Sequence, residues 1–181
     1  MKRPPWFVSS TNKDFITRVP PFETELTALL PRLRRFARSL SRDAADADDL
    51  CQRTVEKALL ARAQWVPGTR MDSWMYRIMR NTWIDSARAR TRAAETFVGE
   101  DSGFGVAGDT AATVEAGVLR GEIAAAMNAL PDEQREAVAL VLVEGLTYKE
   151  AAAVLDVPIG TLTSRLVRGR QTLMTMLGEA A

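Results

Sequence analysis

Between Thr147 and Leu173 the chain carries a pattern that few folds accommodate: a short helix, a forced break, and a second helix without acids. Thr147 and Glu150 make T-x-x-E, a capping box that predicts a helix start, continued by Ala151, Ala152 and Leu155. Asp156-Val157-Pro158 then interrupts it, because proline disfavours helical geometry in the residue before it and suits a first helical position. Beyond the break, Ile159, Leu162, Leu166 and Leu173 recur at three-and-four spacing and predict one buried face. The opposite face offers Thr161, Thr163, Ser164, Val167, Arg168 and Gln171, with Arg165 and Arg170 at its margins. No acid occurs from Val157 to Gly178, so nothing on this helix repels a phosphate backbone. A short helix, a tight turn and a polar-basic second helix meet the requirement for reading a major groove. An amphipathic helix pair with solvated arginines is the plainer alternative.

The net charge of +1 conceals a strong asymmetry. Residues 1–21 hold four basic and one acidic residue, and residues 22–92 hold fourteen and nine. Residues 93–118 hold no basic and five acidic residues, and residues 119–181 hold six and eight. A basic first half followed by an acidic middle points to a polyanion partner for the first half. The single cysteine, Cys51, excludes an intramolecular disulfide and a thiolate-rich zinc site. With no histidine, a catalytic triad, a histidine base and a histidine-ligated metal are excluded as well. Met1-Lys2-Arg3-Pro4-Pro5 lacks the apolar run of a signal peptide, and no stretch approaches the roughly twenty apolar residues of a membrane span. A soluble, cytoplasmic protein without cofactor or membrane insertion is expected.

The expected fold is all-α, with two small helical domains joined by a flexible acidic linker. Residues 1–21, with Pro4, Pro5, Pro20 and Pro21, read as an irregular leader and flexible tail, docking of Trp6 and Phe7 on a neighbouring surface being the alternative. A first domain over 22–92 begins with the helical period of Leu26, Leu29, Leu30, Leu33, Phe36, Ala37 and Leu40, within which Pro31 predicts a kink or a late start. Asp43 can cap a second helix whose Ala47, Leu50, Cys51, Thr54, Ala58 and Leu59 share a face. After the turn at Pro67-Gly68, Asp72 or Ser73 caps a third helix reaching about Arg90. Residues 93–118 scatter Gly99, Gly103, Gly105 and Gly108 among acids and small residues, a composition that reads as linker. The second domain, 119–181, has a helix start at Leu130-Pro131-Asp132-Glu133 and a stop at Gly145, directly before the helix-turn-helix.

Along the third helix Tyr76, Arg80 and Trp83 lie on one stripe, Arg77, Ile84 and Arg88 on the adjoining one, and Trp74, Ile78, Asn81 and Asp85 on the next. Aromatics interleaved with arginines suit single-stranded nucleic acid, since bases stack on rings at roughly 1–3 kcal/mol each while guanidiniums follow phosphates. The competing reading is that these rings are core and interface aromatics. The loop Gln64-Trp65-Val66-Pro67-Gly68-Thr69-Arg70 just before it carries one large aromatic and could hold an extruded base. Asp48, Asp49 and Glu56 are not a metal group on this reading, because neighbours on a helix point about 100° apart.

Taken together, Asp48-Asp49-Leu50-Cys51-Gln52, Trp74–Asn81 with Asp85, Leu130-Pro131, Glu144–Ala152 and Val157–Leu166 resemble a bacterial RNA polymerase sigma factor of the extracytoplasmic-function group of the sigma-70 family. The resemblance runs from Phe22 to Leu177. It implies a non-enzymatic transcription initiation factor that binds core RNA polymerase and promoter DNA. By that resemblance Asp48, Asp49, Gln52, Arg53 and Glu56 would dock on the clamp of the largest subunit. Gln64, Trp65, Thr69, Arg70, Tyr76, Arg77, Arg80, Asn81, Trp83 and Arg88 would melt and hold the −10 element. Thr161, Thr163, Ser164, Arg165, Val167, Arg168 and Gln171 would read the −35 duplex, and the linker would thread toward the RNA exit path. Leu30–Arg38 and Pro67-Gly68-Thr69 are similar to the alphaproteobacterial general-stress subgroup, whose members are held by a small helical anti-sigma protein.

Three positions depart from the family pattern. Arg53 stands where an acid is usual, and Thr163 where a basic residue is frequent. Gly169 falls inside the reading helix, at a cost of roughly 1 kcal/mol against alanine. Two rivals stay open at this point, a stand-alone helix-turn-helix regulator and a sigma-like decoy that only binds an anti-sigma protein. The first leaves the tryptophan–arginine helix unexplained, and Arg165, Arg168 and Arg170 argue against the second.

Overall fold

The computed structural model describes residues 22–41, 43–96 and 114–178, and side chains within 22–41, 43–92 and 121–178. The expected irregular leader and the middle of the expected acidic linker lie outside the described residues. Every regular element among the described residues is helical.

The first helix, α1, spans Phe22–Ser41 without interruption, so the late start expected from Pro31 is not met. Pro31 is exposed and the bond it cannot make leaves the Thr27 carbonyl on the solvent side, while Leu29, Leu33 and Phe36 anchor the helix on either side. Helix α2, Ala44–Leu60, is capped by Asp43, whose carboxylate accepts from the Asp46 amide at 3.0 Å. Its buried face is Ala47, Leu50, Cys51, Thr54 and Ala58; Leu59, expected with them, is 47% exposed. After a short 3-10 turn at Arg62–Gln64, α3 runs from Met71 to Thr96. Asp72 is therefore not its cap but a residue of its first turn, and the helix continues past the expected end near Arg90. These three helices pack on one another around Leu33, Phe36, Leu40, Met75 and Met79.

The second half begins with α4, Val114–Ala129, five residues before the expected boundary. Helix α5, Asp132–Val138, follows Pro131 and passes into a π-helical turn over Ala139–Val143, closed by the Glu144 amide on the Ala139 carbonyl at 2.9 Å. Gly145 ends it at φ +73°, where the Leu146 amide reaches back to the Leu140 carbonyl at 3.0 Å. Helix α6, Tyr148–Leu155, has the complete capping box: the Thr147 hydroxyl accepts from the Glu150 amide and Glu150 accepts from the Thr147 amide. Asp156 takes a left-handed conformation at φ 52°, and α7, Ile159–Gly178, follows the break.

Gly169 has a structural reason. A Cβ built there would stand 2.8 Å from Val138 Cγ2 and 3.3 Å from Gln134 Cβ, so α7 lies against α5 only because this position lacks a side chain. The two halves are also packed together, α3 against α6 and α1 against α5 and the π-helical turn.

Candidate nucleic-acid interface

On the outer face of α2, Asp48, Asp49, Gln52, Arg53 and Glu56 are all exposed and form one polar surface. Gln52 donates to Glu56 at 3.1 Å, Arg53 pairs with Asp49 one turn away and also reaches Ser86 at 3.3 Å. Arg53 thus sits inside the acidic row with its charge already shared.

The −10 candidates divide sharply. Gln64, Thr69, Arg70, Arg77, Asn81 and Arg88 are exposed. Trp65, expected to face an extruded base, is buried instead, its ring edge-on to Phe22 at 5.5 Å. Tyr76 is fully buried beside Phe36 at 4.9 Å, and its hydroxyl donates to Glu144 at 2.6 Å. Arg80 is largely covered and pairs with Glu136 at 3.0 Å. Trp83 is half-buried under the Arg90 guanidinium at 4.7 Å. In this conformation Trp65, Tyr76 and Arg80 are therefore core or interface groups; the competing reading of the helix aromatics holds for Tyr76, while Arg80 is paired rather than solvated. The sequence stripe was right as helix geometry, but at Tyr76 and Arg80 it is met by Glu144 and Glu136 of the second half of the chain. Burial, reinforced by the Glu144 carboxylate, holds the Tyr76 hydroxyl far above its ordinary pKa.

On α7 the face opposite Leu162 and Leu166 carries Ser164, Val167, Arg168 and Gln171, all exposed, with Thr161 and Thr163 half-buried. Thr163 and Ser164 turn their hydroxyls to the carbonyls of Ile159 and Thr161. Arg165 is half-buried and paired with Glu133 at 2.8 Å, so its guanidinium is held against the domain. Ile159, expected on the buried face, is 51% exposed at the mouth of the turn.

A set of charged contacts that the sequence does not foretell joins the two halves. Glu144 has a side chain only 1% exposed. Its carboxylate accepts from Arg32 Nε at 3.0 Å, from Arg35 Nε at 3.1 Å and from the Tyr76 hydroxyl, and its carbonyl accepts from Arg32 at 2.6 Å. Arg135, 1% exposed, donates across to the Ser39 and Leu40 carbonyls at the end of α1 and to Asp132 at 2.8 Å. Arg70 bridges Asp72 at 2.6 Å and Glu150 at 2.8 Å, and Arg77 donates to the Ala153 carbonyl at 2.7 Å. Burial pushes the Asp72 carboxyl up, but hydrogen bonds from Arg70 and the Ser73 amide with the nearby guanidinium charges outweigh it, leaving the group below the usual carboxylate range. Hydrogen bonds from the Thr147 hydroxyl and amide, with Arg70 beside them, hold Glu150 low as well. No periodicity marks the partners that cross between the halves, because those pairs are separated by 56 to 112 residues. The only local sign is a pair of charges, Arg135-Glu136, at the edge of the apolar run Ala137–Val143.

Among the described residues no three His, Cys, Asp or Glu side chains are grouped to hold a metal ion, and no helix is long and apolar enough to cross a membrane. Residues 26–93 match the family described as sigma-70 region 2, and residues 120–173 match sigma-70, region 4. The chain is 35% identical over 153 residues to the ECF RNA polymerase sigma factor EcfG of Rhodopseudomonas palustris, covering 84% of this chain and 83% of that protein. It is 36% identical over 150 residues to the ECF RNA polymerase sigma factor SigE of Mycolicibacterium smegmatis, covering 82% of this chain and 58% of that longer protein. Among solved structures, the sigma factor RpoE of Bartonella quintana, crystallised with the anti-sigma factor NepR, superposes with a TM-score of 0.69 at 32% identity, over 87% of this chain and 96% of that one.

Proposed function

The chain belongs to the extracytoplasmic-function group of the sigma-70 family, factors that bind core RNA polymerase and direct it to promoters, and from that premise we propose how its surfaces divide the work. The first domain, 22–92, docks on the clamp of the largest subunit through Asp48, Asp49, Gln52, Arg53 and Glu56. Its α3 face and the Gln64–Arg70 loop melt the −10 element, with Arg77, Asn81, Trp83 and Arg88 following the displaced strand. The second domain, 119–181, reads the −35 duplex through Ser164, Val167, Arg168 and Gln171, with Thr161, Thr163 and Arg165 at the edge of that contact. Residues 93–118 tether the two, so that each weak DNA contact raises the effective concentration of the other once polymerase fixes their spacing. Phosphodiester chemistry stays with the polymerase, and the chain works beside it in the cytoplasm.

The observation that supports this reading most is the exposed, acid-free face of α7 behind a complete capping box, in the same chain as an arginine–tryptophan helix. An anti-sigma protein is the proposed antagonist, since the Bartonella relative was crystallised with one. Likeness to EcfG, with Leu30–Arg38 and Pro67-Gly68-Thr69, favours the alphaproteobacterial general-stress subgroup. The test is transcription by core polymerase carrying this chain on promoters selected from a randomised −35/−10 library. Arg168→Ala should lower −35-dependent transcription about tenfold, as loss of one good groove contact does, and leave core binding intact. Loss of core binding in that variant would remove α7 from the −35 role.

A further inference from the structure

The contact between the two halves joins an apolar core that runs through both to a set of charges, and at the centre of those charges is one buried carboxylate. Glu144 lies among two guanidiniums and one phenol, with both carboxylate oxygens accepting. Arg32, Arg35 and Tyr76 converge on it from α1 and α3, two different helices of the first domain. Fork-shaped guanidiniums beside a hydroxyl donor are the chemistry that binds a phosphate as readily as a carboxylate. The same contact covers Tyr76 and Arg80, on the face of α3 that carries the aromatic–arginine stripe. Meanwhile Asp48, Asp49, Gln52, Arg53 and Glu56 on α2, and Ser164, Arg168 and Gln171 on α7, remain exposed.

We propose that Arg32, Arg35 and Tyr76 form a phosphate site for the single-stranded promoter DNA, and that Glu144 occupies it as an internal mimic, keeping the free chain closed. This rests on the sigma-factor reading and adds to it both a site and the device that shields it. In the closed chain the polymerase-docking face of α2 is available, while Tyr76 and Arg80 on the strand-binding helix α3 are covered. Docking therefore precedes opening, and opening hands the anion site from Glu144 to the DNA backbone. A buried charge cluster of this kind suits a switch, because removing one partner breaks it while separation returns every group to water.

Glu144→Gln keeps the side-chain shape but sets amide hydrogens against guanidinium hydrogens. In the full-length chain, small-angle scattering should show a larger radius of gyration. Binding of a fluorescent random-sequence single-stranded DNA should tighten about tenfold, the scale of one charge-assisted hydrogen bond. Glu122→Gln, the same charge change on the exposed surface of α4, should do neither. Adding Arg35→Gln to Glu144→Gln should keep the chain open and cancel the gain in DNA binding. An unchanged radius in Glu144→Gln would overturn the latch. Opening without tighter DNA binding, or a gain that survives Arg35→Gln, would overturn the phosphate site. Should Glu144→Gln fail to fold, Arg35→Gln alone decides, since its half-exposed side chain is not a core element. It must expand the chain without tightening DNA binding. Neither readout uses polymerase, so failure here is distinct from failure of the sigma assignment.

Discussion

Gly169→Ala is a direct trial of the packing that positions the reading helix. Two effects oppose each other. Alanine in a helix interior gains roughly 1 kcal/mol over glycine, which on propensity alone makes the variant more stable. Against this, the new methyl would lie 2.8 Å from Val138 Cγ2, with Gln134 Cβ at 3.3 Å and the Gln134 carbonyl at 3.4 Å. Val138 is 2% exposed and β-branched, so in a helix its χ1 has one strongly favoured well and the methyl cannot swing aside. The remaining relief is to lift α7 from α5, and overpacking of this kind costs about 1–3 kcal/mol. The steric term is the larger, and a net loss of about 1 kcal/mol is expected. Urea unfolding followed by helical circular dichroism measures it as a lower midpoint at unchanged slope. Val138→Ala removes the obstructing methyl, so the double variant should lose less than the sum of the singles, by about 1 kcal/mol. A Gly169→Ala variant more stable than the parent, or strict additivity, would refute the close-approach argument.

Other consequences are equally concrete. Because the folded-state pKa of Glu150 lies below its unfolded value, its contribution is present above the ordinary carboxylate range and is lost as pH falls through that range and below it. Glu150→Gln, which keeps the side-chain shape, should flatten the acid limb of a stability-against-pH curve; an unchanged limb would show that the Thr147 and Arg70 contacts do not bias its titration. Arg168→Ala should separate promoter reading from core binding in the transcription assay. Glu144→Gln should open the chain and free its single-strand site.

Much of this fold was legible because its signals are local. Asp43, the Thr147–Glu150 box, Gly145 and Val157-Pro158 each declare a helix end through chemistry contained within four residues. The apolar periods of α1 and α7 likewise predicted Leu33, Phe36, Leu162 and Leu166 as core. Pro31 misled because its cost depends on which side of the helix faces water, a property of the assembled domain. Trp65, Tyr76 and Arg80 were legible as an aromatic–basic pattern, but the pattern is the same whether the covering partner is DNA or another helix. The burial of Tyr76 depends on Glu144, 68 residues away, and no helical period connects the two. Gly169 read locally as a propensity loss, and only the position of Val138 turns it into a packing requirement.

The central claim is tested most directly by mixing the full-length chain with sigma-free bacterial core polymerase and following co-elution in gel filtration, beside Asp49→Arg. Asp49 is exposed on α2 and pairs only within that helix among the contacts described, so reversing its charge should leave the fold intact. The account predicts stable co-elution of the parent chain and clear weakening by Asp49→Arg. Failure of the parent chain to bind, under conditions where a housekeeping sigma factor does, would contradict it.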